Sequence, residues 1–237
     1  MYRVKDLKFK YDQKSEEGTL KNISFNIMDG KLNVLLGENG SGKTTVMDCM
    51  CGILQSTHAN ELPLNKDMIY LTQNMMLSQH STGLDIKKLI KGMCQKDETT
   101  DFEENIKHFI AGSDAVLKKY NHLLKMTSGQ MSVGERRWLY ILFLAALNRK
   151  MYILDEPTSG IDPRTRKMIL NRLTDLCINK SVIISTHQLQ DMPRENTHII
   201  FINEGQKIYE GDYLKWLSEM ETDDPDVAFE KTIDIYG

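Results

Sequence analysis

The stretch LNVLLGENGSGKTT, residues 32 to 45, constrains the fold more than any other part of the chain. LNVLL is a compact apolar run of the kind expected of a strand buried on both faces. It leads into GENGSGKTT, which satisfies G-x-x-x-x-G-K-[ST] at every fixed position. The following TTVMDCMCGIL has helical apolar spacing. Glycines let such a turn curl so that successive N–H groups point inward at phosphate oxygens, and the helix N-terminus adds the positive end of its dipole. Gly37, Glu38, Asn39, Gly40, Ser41, Gly42, Lys43, Thr44 and Thr45 are therefore expected to cradle a polyphosphate. Lys43 is placed to reach the β- and γ-phosphates and Thr44 to offer its hydroxyl to Mg²⁺.

The rest of the chain alternates strands and helices. YRVKDLKFKY and LKNISFNIMDG alternate apolar and polar residues, the second ending in a turn at Asp29-Gly30. MIYLTQ (68–73), MYILDE (151–156) and SVIISTH (181–187) read as buried strands, residues 135–149 and PRTRKMILNRLTDLC as helices, and HIIFINEGQKIYEG as a hairpin turning at Glu204-Gly205. From about 76 to 130 the spacing is helical and polar, which predicts an insertion of three helices. The tail from about 216 is acidic and is read as loosely ordered. Alternating units imply an α/β fold with a parallel sheet covered on both faces.

Composition removes several function classes. A formal net charge of −3 offers no basic stripe for nucleic acid. Cys49, Cys51, Cys94 and Cys177 form no C-x-x-C pair, so they are expected to be core thiols in a reducing compartment. The N-terminus shows no apolar h-region. The longest apolar run, Trp138 to Leu147, has ten residues, against the about 20 that span a bilayer. The chain is thus read as soluble by itself, with any membrane part supplied by another polypeptide.

A second chemical motif sits at the end of MYILDE. Ligands of open α/β sheets bind at the carboxyl ends of strands. There Asp155 can hold Mg²⁺ and Glu156 can orient and polarise an attacking water. Together the two motifs specify a phosphate-loop NTPase. The segment MSVGERRW, 131 to 138, then narrows the kind. Ser132-x-Gly134-Glu135 opens a helix 23 residues before Asp155, and here the sequence resembles the ABC ATPase family, whose signature reads approximately L-S-G-G-Q. A second candidate, TSGQ at 127–130, places its serine 27 residues before Asp155, too far. Further features fall in the family's order: Tyr11 in FKYD, Gln73 ending a strand, SGID (Ser159, Gly160, Ile161, Asp162) after DEPT, and His187 ending SVIISTH. The resemblance runs from about residue 3 to 215. Val133 replaces the first signature glycine and Glu135 the glutamine, while Met131 stands for leucine.

The resemblance implies a RecA-like mixed sheet core (1–75 and 131–215) with an N-terminal antiparallel β-subdomain and a helical insertion (about 76–130); the acidic tail (216–237) follows it. It implies an ATPase using ATP and Mg²⁺. Glu156, His187 and Lys43 are its catalytic groups, Tyr11 stacks on adenine, and Thr44, Gln73 and Asp155 surround the metal. It further implies a head-to-tail homodimer, or a heterodimer with another ABC ATPase, in which Ser132, Val133, Gly134 and Glu135 cover the ATP of the partner chain. Ser159, Gly160 and Asp162 line the dimer contact. An integral membrane permease subunit would dock at the cytoplasmic face. The alternative is a soluble ABC ATPase of iron–sulfur cluster assembly. Those proteins also carry Glu in the signature but usually have Asp in place of Thr158.

Overall fold

A computed structural model of the protein describes residues 1–12, 18–73, 75, 77–95, 99–111 and 113–237. Met76, where the helical insertion is expected to begin, lies outside them. Along the chain the elements are β1 (Tyr2–Phe9), β2 (Leu20–Ile27), β3 (Leu32–Leu36), α1 (Lys43–Met50), β4 (Thr57–Glu61), β5 (Met68–Leu71), α2 (Gly83–Lys91), α3 (Thr99–Ile110) and α4 (Asp114–Lys125). There follow α5 (Val133–Ala146), β6 (Met151–Leu154), α6 (Pro163–Leu176), β7 (Ser181–Ser185), β8 (Thr197–Asn203), β9 (Gln206–Asp212), α7 (Tyr213–Glu219) and α8 (Pro225–Tyr236). The chain forms two compact units.

The first unit holds Met1–Gln73, Lys150–Glu156 and Leu173–Gly237. Its six-stranded sheet has the order β5-β6-β7-β3-β8-β9. β5, β6, β7, β3 and β8 run parallel, and β9 returns antiparallel to β8. Every residue of β3, β6 and β7 is buried, which is why these strands read as continuous apolar runs rather than alternating ones. A second, antiparallel sheet has the order β2-β1-β4. Its apolar face, with Val4, Leu7, Ile23 and Phe25, joins Val46 and Met47 of α1 and Leu35, Ile153 and Ile183 of the large sheet in one core. β4, THANE, carries no apolar alternation in its sequence; it pairs antiparallel with β1, and Lys5 of β1 donates to the Glu61 carboxylate.

The end of the chain corrects the expectation of a loosely ordered tail. Residues 213–236 form α7 and α8. The acidic residues that suggested disorder start a helix: Asp224 caps α8 by accepting from the Asp226 N–H (2.9 Å), and Pro225 follows at the first helical position. Trp216 is fully buried and donates to Thr232 Oγ1 (2.8 Å), and Phe229 lies against Phe201 of β8.

The second unit holds Asn74–Arg149 and Pro157–Arg172. Helix α5 begins at Val133 and ends at Ala146, slightly ahead of the 135–149 expected, because Ser132 is its cap. Trp138 to Ala146 are all buried, so α5 is a core helix rather than an amphipathic one. Thr82 and Asp85 form a capping box on α2, and Ser113 caps α4. Glu103 of α3 accepts from Lys87 and Lys91 of α2. Among the described residues no helix is long and apolar enough to cross a membrane.

Glu210 ties the β8–β9 hairpin to β2. One carboxylate oxygen accepts from both the backbone and side-chain N–H of Asn26 (each 2.9 Å), and the other from Lys207. Burial pushes the carboxyl up. His198 at 3.6 Å, Lys207 and Asn26 override it and bring its pKa down to about 2 from 4.5. A carboxyl depressed by folding contributes stability above its unfolded pKa and loses it as pH falls through the folded one. Glu210→Gln is therefore expected to be less stable than the parent at neutral pH and to lose stability less steeply between pH 4.5 and pH 2, as urea unfolding across that range measures.

Candidate active site

The site is assembled at the carboxyl edge of the large sheet, where β3, β6 and β7 end side by side. After β3 the backbone turns through Gly37, Gly40 and Gly42, all at positive φ. Gly37 is required sterically: a Cβ there would lie 2.1 Å from the Ile202 carbonyl oxygen and 2.5 Å from Ser41 Oγ. Gly42 caps α1 in the left-handed region, with φ 109°. Lys43, the first residue of α1, is buried and bends back so that Nζ donates to the carbonyls of Gly37 and Glu38, both at 2.8 Å. Burial lowers its pKa, against the opposing pull of Glu156, Asp155 and Glu38. Ser41 Oγ is buried without a hydrogen-bond partner, an orphaned polar atom of the kind a bound phosphate would satisfy.

Thr44 Oγ1 donates to Asp155 Oδ2 at 2.8 Å. A hydroxyl and a carboxylate side by side are the hard oxygen donors that Mg²⁺ takes together with substrate phosphates, so the residues present fit that ion. Asp155 is 2% exposed, and its N–H donates to the Leu71 carbonyl. Glu156 takes φ +47°, a left-handed conformation that non-glycine residues adopt at a cost of about 1–3 kcal/mol, chiefly at functional sites. Its Oε1 lies 3.0 Å from His187 Nδ1, and the imidazole itself is half-exposed.

Ser185, the last residue of β7, was not singled out by the sequence analysis. Its hydroxyl donates to Asp155 Oδ1 and accepts from the Glu156 N–H (2.7 Å). One buried hydroxyl thus holds the Asp155 carboxylate and the Glu156 main chain. Its place at the carboxyl end of an apolar strand was the available signal.

Tyr11 stands 64% exposed just beyond β1, its hydroxyl 3.3 Å from Thr45 Oγ1 and its ring edge-on to Phe9. Gln73 lies two residues past β5, exposed. β5 pairs with β6 so that Leu71 faces Leu154, which puts Gln73 on the same sheet edge as Asp155.

The remaining residues belong to the second unit. Ser132 caps α5, accepting from the Glu135 N–H (3.2 Å), while the Glu135 carboxylate accepts from the Ser132 N–H (2.8 Å). The Ser132 backbone contact holds the Glu135 pKa below its usual value. Val133 is exposed beside Gly160, its methyl 3.9 Å from where a Cβ on Gly160 would stand, and Gly134 faces Ile161. Ser159 sits in the same turn, and Asp162 accepts from the Thr165 N–H (3.0 Å) at the start of α6. Residues 132–135 and 159–162 are therefore neighbours within this unit. The TSGQ stretch forms its own turn, with Gln130 accepting from the Thr127 N–H.

The family model for ABC transporters matches residues 20–159. The chain belongs to the ABC transporter family. An energy-coupling factor transporter ATP-binding protein of Clostridium perfringens is 26% identical over 232 residues, covering 92% of this chain and 80% of the relative. The solved ATP-binding subunit of an ABC transporter superposes with a TM-score of 0.81 at 18% identity, covering 98% of this chain and 99% of its own. A dimeric bacterial ABC transporter cassette superposes at 0.71 and 21% identity, covering 90% and 99%. The fold is that of an ABC ATPase cassette, as the α/β expectation required.

In this cassette Ser185→Ala removes a hydroxyl that serves two buried groups. Leaving a buried donor or acceptor unmatched costs about 1–3 kcal/mol. The variant is expected to show that loss in urea unfolding, together with a lower kcat for ATP.

Proposed function

We propose that this chain is the ATP-binding and ATP-hydrolysing subunit of an ABC transporter, working through a separate membrane subunit. The observation that carries the reading is the 2.8 Å hydrogen bond from Thr44 to Asp155, made beside the Glu156–His187 pair. It joins the phosphate loop to the acidic strand end at the point where a γ-phosphate and its water must meet. That the relatives named above are transporter subunits favours this over iron–sulfur cluster assembly.

The residues divide the work. The backbone N–H groups from Gly37 to Thr45 and the N-terminus of α1 hold the phosphates. Lys43 exchanges its two carbonyl partners for phosphate oxygens. Tyr11 offers its exposed ring to the adenine. Thr44, Asp155 and Gln73 would hold Mg²⁺, which would neutralise charge on the phosphate oxygens. Glu156 orients the attacking water and accepts its proton. His187 fixes the Glu156 carboxylate and faces the γ-phosphate. Catalysis of this kind is mostly positioning and electrostatics.

A second ABC ATPase, either another copy or a different chain, completes the site head to tail. Its Ser132, Val133, Gly134 and Glu135 cover the γ-phosphate, and Ser159, Gly160 and Asp162 line the contact. Because the γ-phosphate bridges the two chains, hydrolysis removes a contact present in only one state, which is what a switch requires. The permease docks on the second unit, at the cytoplasmic face of the membrane.

Glu156→Gln is expected to bind ATP, to hydrolyse it about 10²- to 10⁴-fold more slowly, as loss of a general base implies, and to elute as an ATP-bound dimer on gel filtration. A variant that stays monomeric or keeps the parent rate contradicts the assignment. Lys43→Ala is expected to lose about 1.5–3 kcal/mol of ATP affinity, the worth of hydrogen bonds to a charged group, read by isothermal titration.

A further inference from the structure

Helices α7 and α8 grip the stretch that follows His187. Leu189 is buried, and its carbonyl accepts from the Tyr213 hydroxyl of α7 at 3.1 Å. Gln190 Nε2 donates to Asp224 Oδ1 (3.2 Å) and to Asp226 Oδ2 (2.9 Å), bridging the cap and the first turn of α8. Arg194 donates to the Asp223 carbonyl at 3.2 Å. Between His187 and Gln190 the chain has little slack, because the Gln188 N–H closes a turn on Thr186 Oγ1 at 3.0 Å. The helix pair is itself anchored through Trp216–Thr232 and Phe229–Phe201. The imidazole of His187 and the phosphate-loop residues Glu38 and Asn39 open onto one groove of ≈490 Å³, and Asp226, Phe229 and Glu230 of α8 form part of its lining.

The direction of His187 is set by its contact with Glu156 and by the backbone that leaves it. Here that backbone is fixed three residues later by the Gln190 bridge. We infer that Gln190, by bridging Asp224 and Asp226, is a positioning residue for His187, and that the C-terminal helix pair sets the rate of ATP hydrolysis through it. The inference rests on the catalytic reading of His187. The bridge is exposed, and hydrogen bonds of that kind contribute little net stability. It can therefore open without unfolding the unit, so the helix pair can modulate the switch as well as support it.

Charge at position 190 tests this. Gln190→Glu sets a carboxylate against Asp224 and Asp226, whereas Gln190→Lys keeps a donor for both. For Gln190→Glu, kcat is expected to fall about tenfold, less than the ~100-fold that ~1 Å of misplacement can cost, with KM for ATP and the melting temperature near those of the parent. Gln190→Lys, and Gln190→Glu combined with Asp226→Asn, are expected to recover most of that loss. The imidazole NMR resonances of His187 should move in Gln190→Glu and return in Gln190→Lys. Loss of activity in His187→Ala alongside parental kcat in Gln190→Glu overturns the inference alone, as does equal impairment by Glu and Lys. Parental kcat in His187→Ala overturns instead the catalytic reading of that histidine.

Discussion

Parallel pairing of β3, β6 and β7 is the constraint on which the chemistry depends. The register sets Leu35 opposite Ser185 and Leu154 opposite Ile184, so the strands deliver Gly37, Asp155 and Ser185 to one edge. Side chains on a strand alternate with a period of two, so a slip of one residue would turn every one of them to the other face. Asn33, buried in β3, opposes that slip: its amide donates to the Val182 and Met28 carbonyls and accepts from the Met28 N–H, and a shift of one residue would leave it without them. The network from Thr44 through Asp155 and Ser185 to Glu156 thus depends on a register fixed by groups that take no part in hydrolysis.

This division also explains what the sequence made legible. LNVLL, MYILDE and SVIISTH announce themselves because a strand buried on both faces is mostly apolar, a polar residue such as Asn33 being admitted only with hydrogen-bond partners, and the phosphate loop because its backbone demands glycine where φ is positive. β4 is not legible, since THANE lacks the alternation of apolar and polar residues that marks a strand. The α7–α8 pair was misread because its acidic run looks like a solvated tail, while in the fold Asp224 satisfies helix N–H groups. Ser185 was missed for a different reason: a serine within a strand is unremarkable until its neighbours' carboxylates are placed.

Two of the three departures in the signature segment have local physical accounts. A glutamate three residues after a serine cap closes the same reciprocal hydrogen bonds that a glutamine would, so Glu135 preserves the start of α5 while adding a negative charge at the helix N-terminus. Val133 lies against the turn at Gly160, so the two segments meet within the second unit.

The posture of Lys43 has a consequence for nucleotide selection. Its ammonium is already coordinated by two main-chain oxygens, so nucleotide entry at this point is a swap of ligands rather than the gain of a new one. The favourable margin of a swap depends on how much better the incoming oxygens are than the outgoing ones. A single distant phosphate would offer little advantage over two carbonyls, while the adjoining anionic oxygens of a di- or triphosphate surpass them clearly. On the proposed reading, the lysine's internal contacts would favour a ligand that offers it several adjoining anionic oxygens.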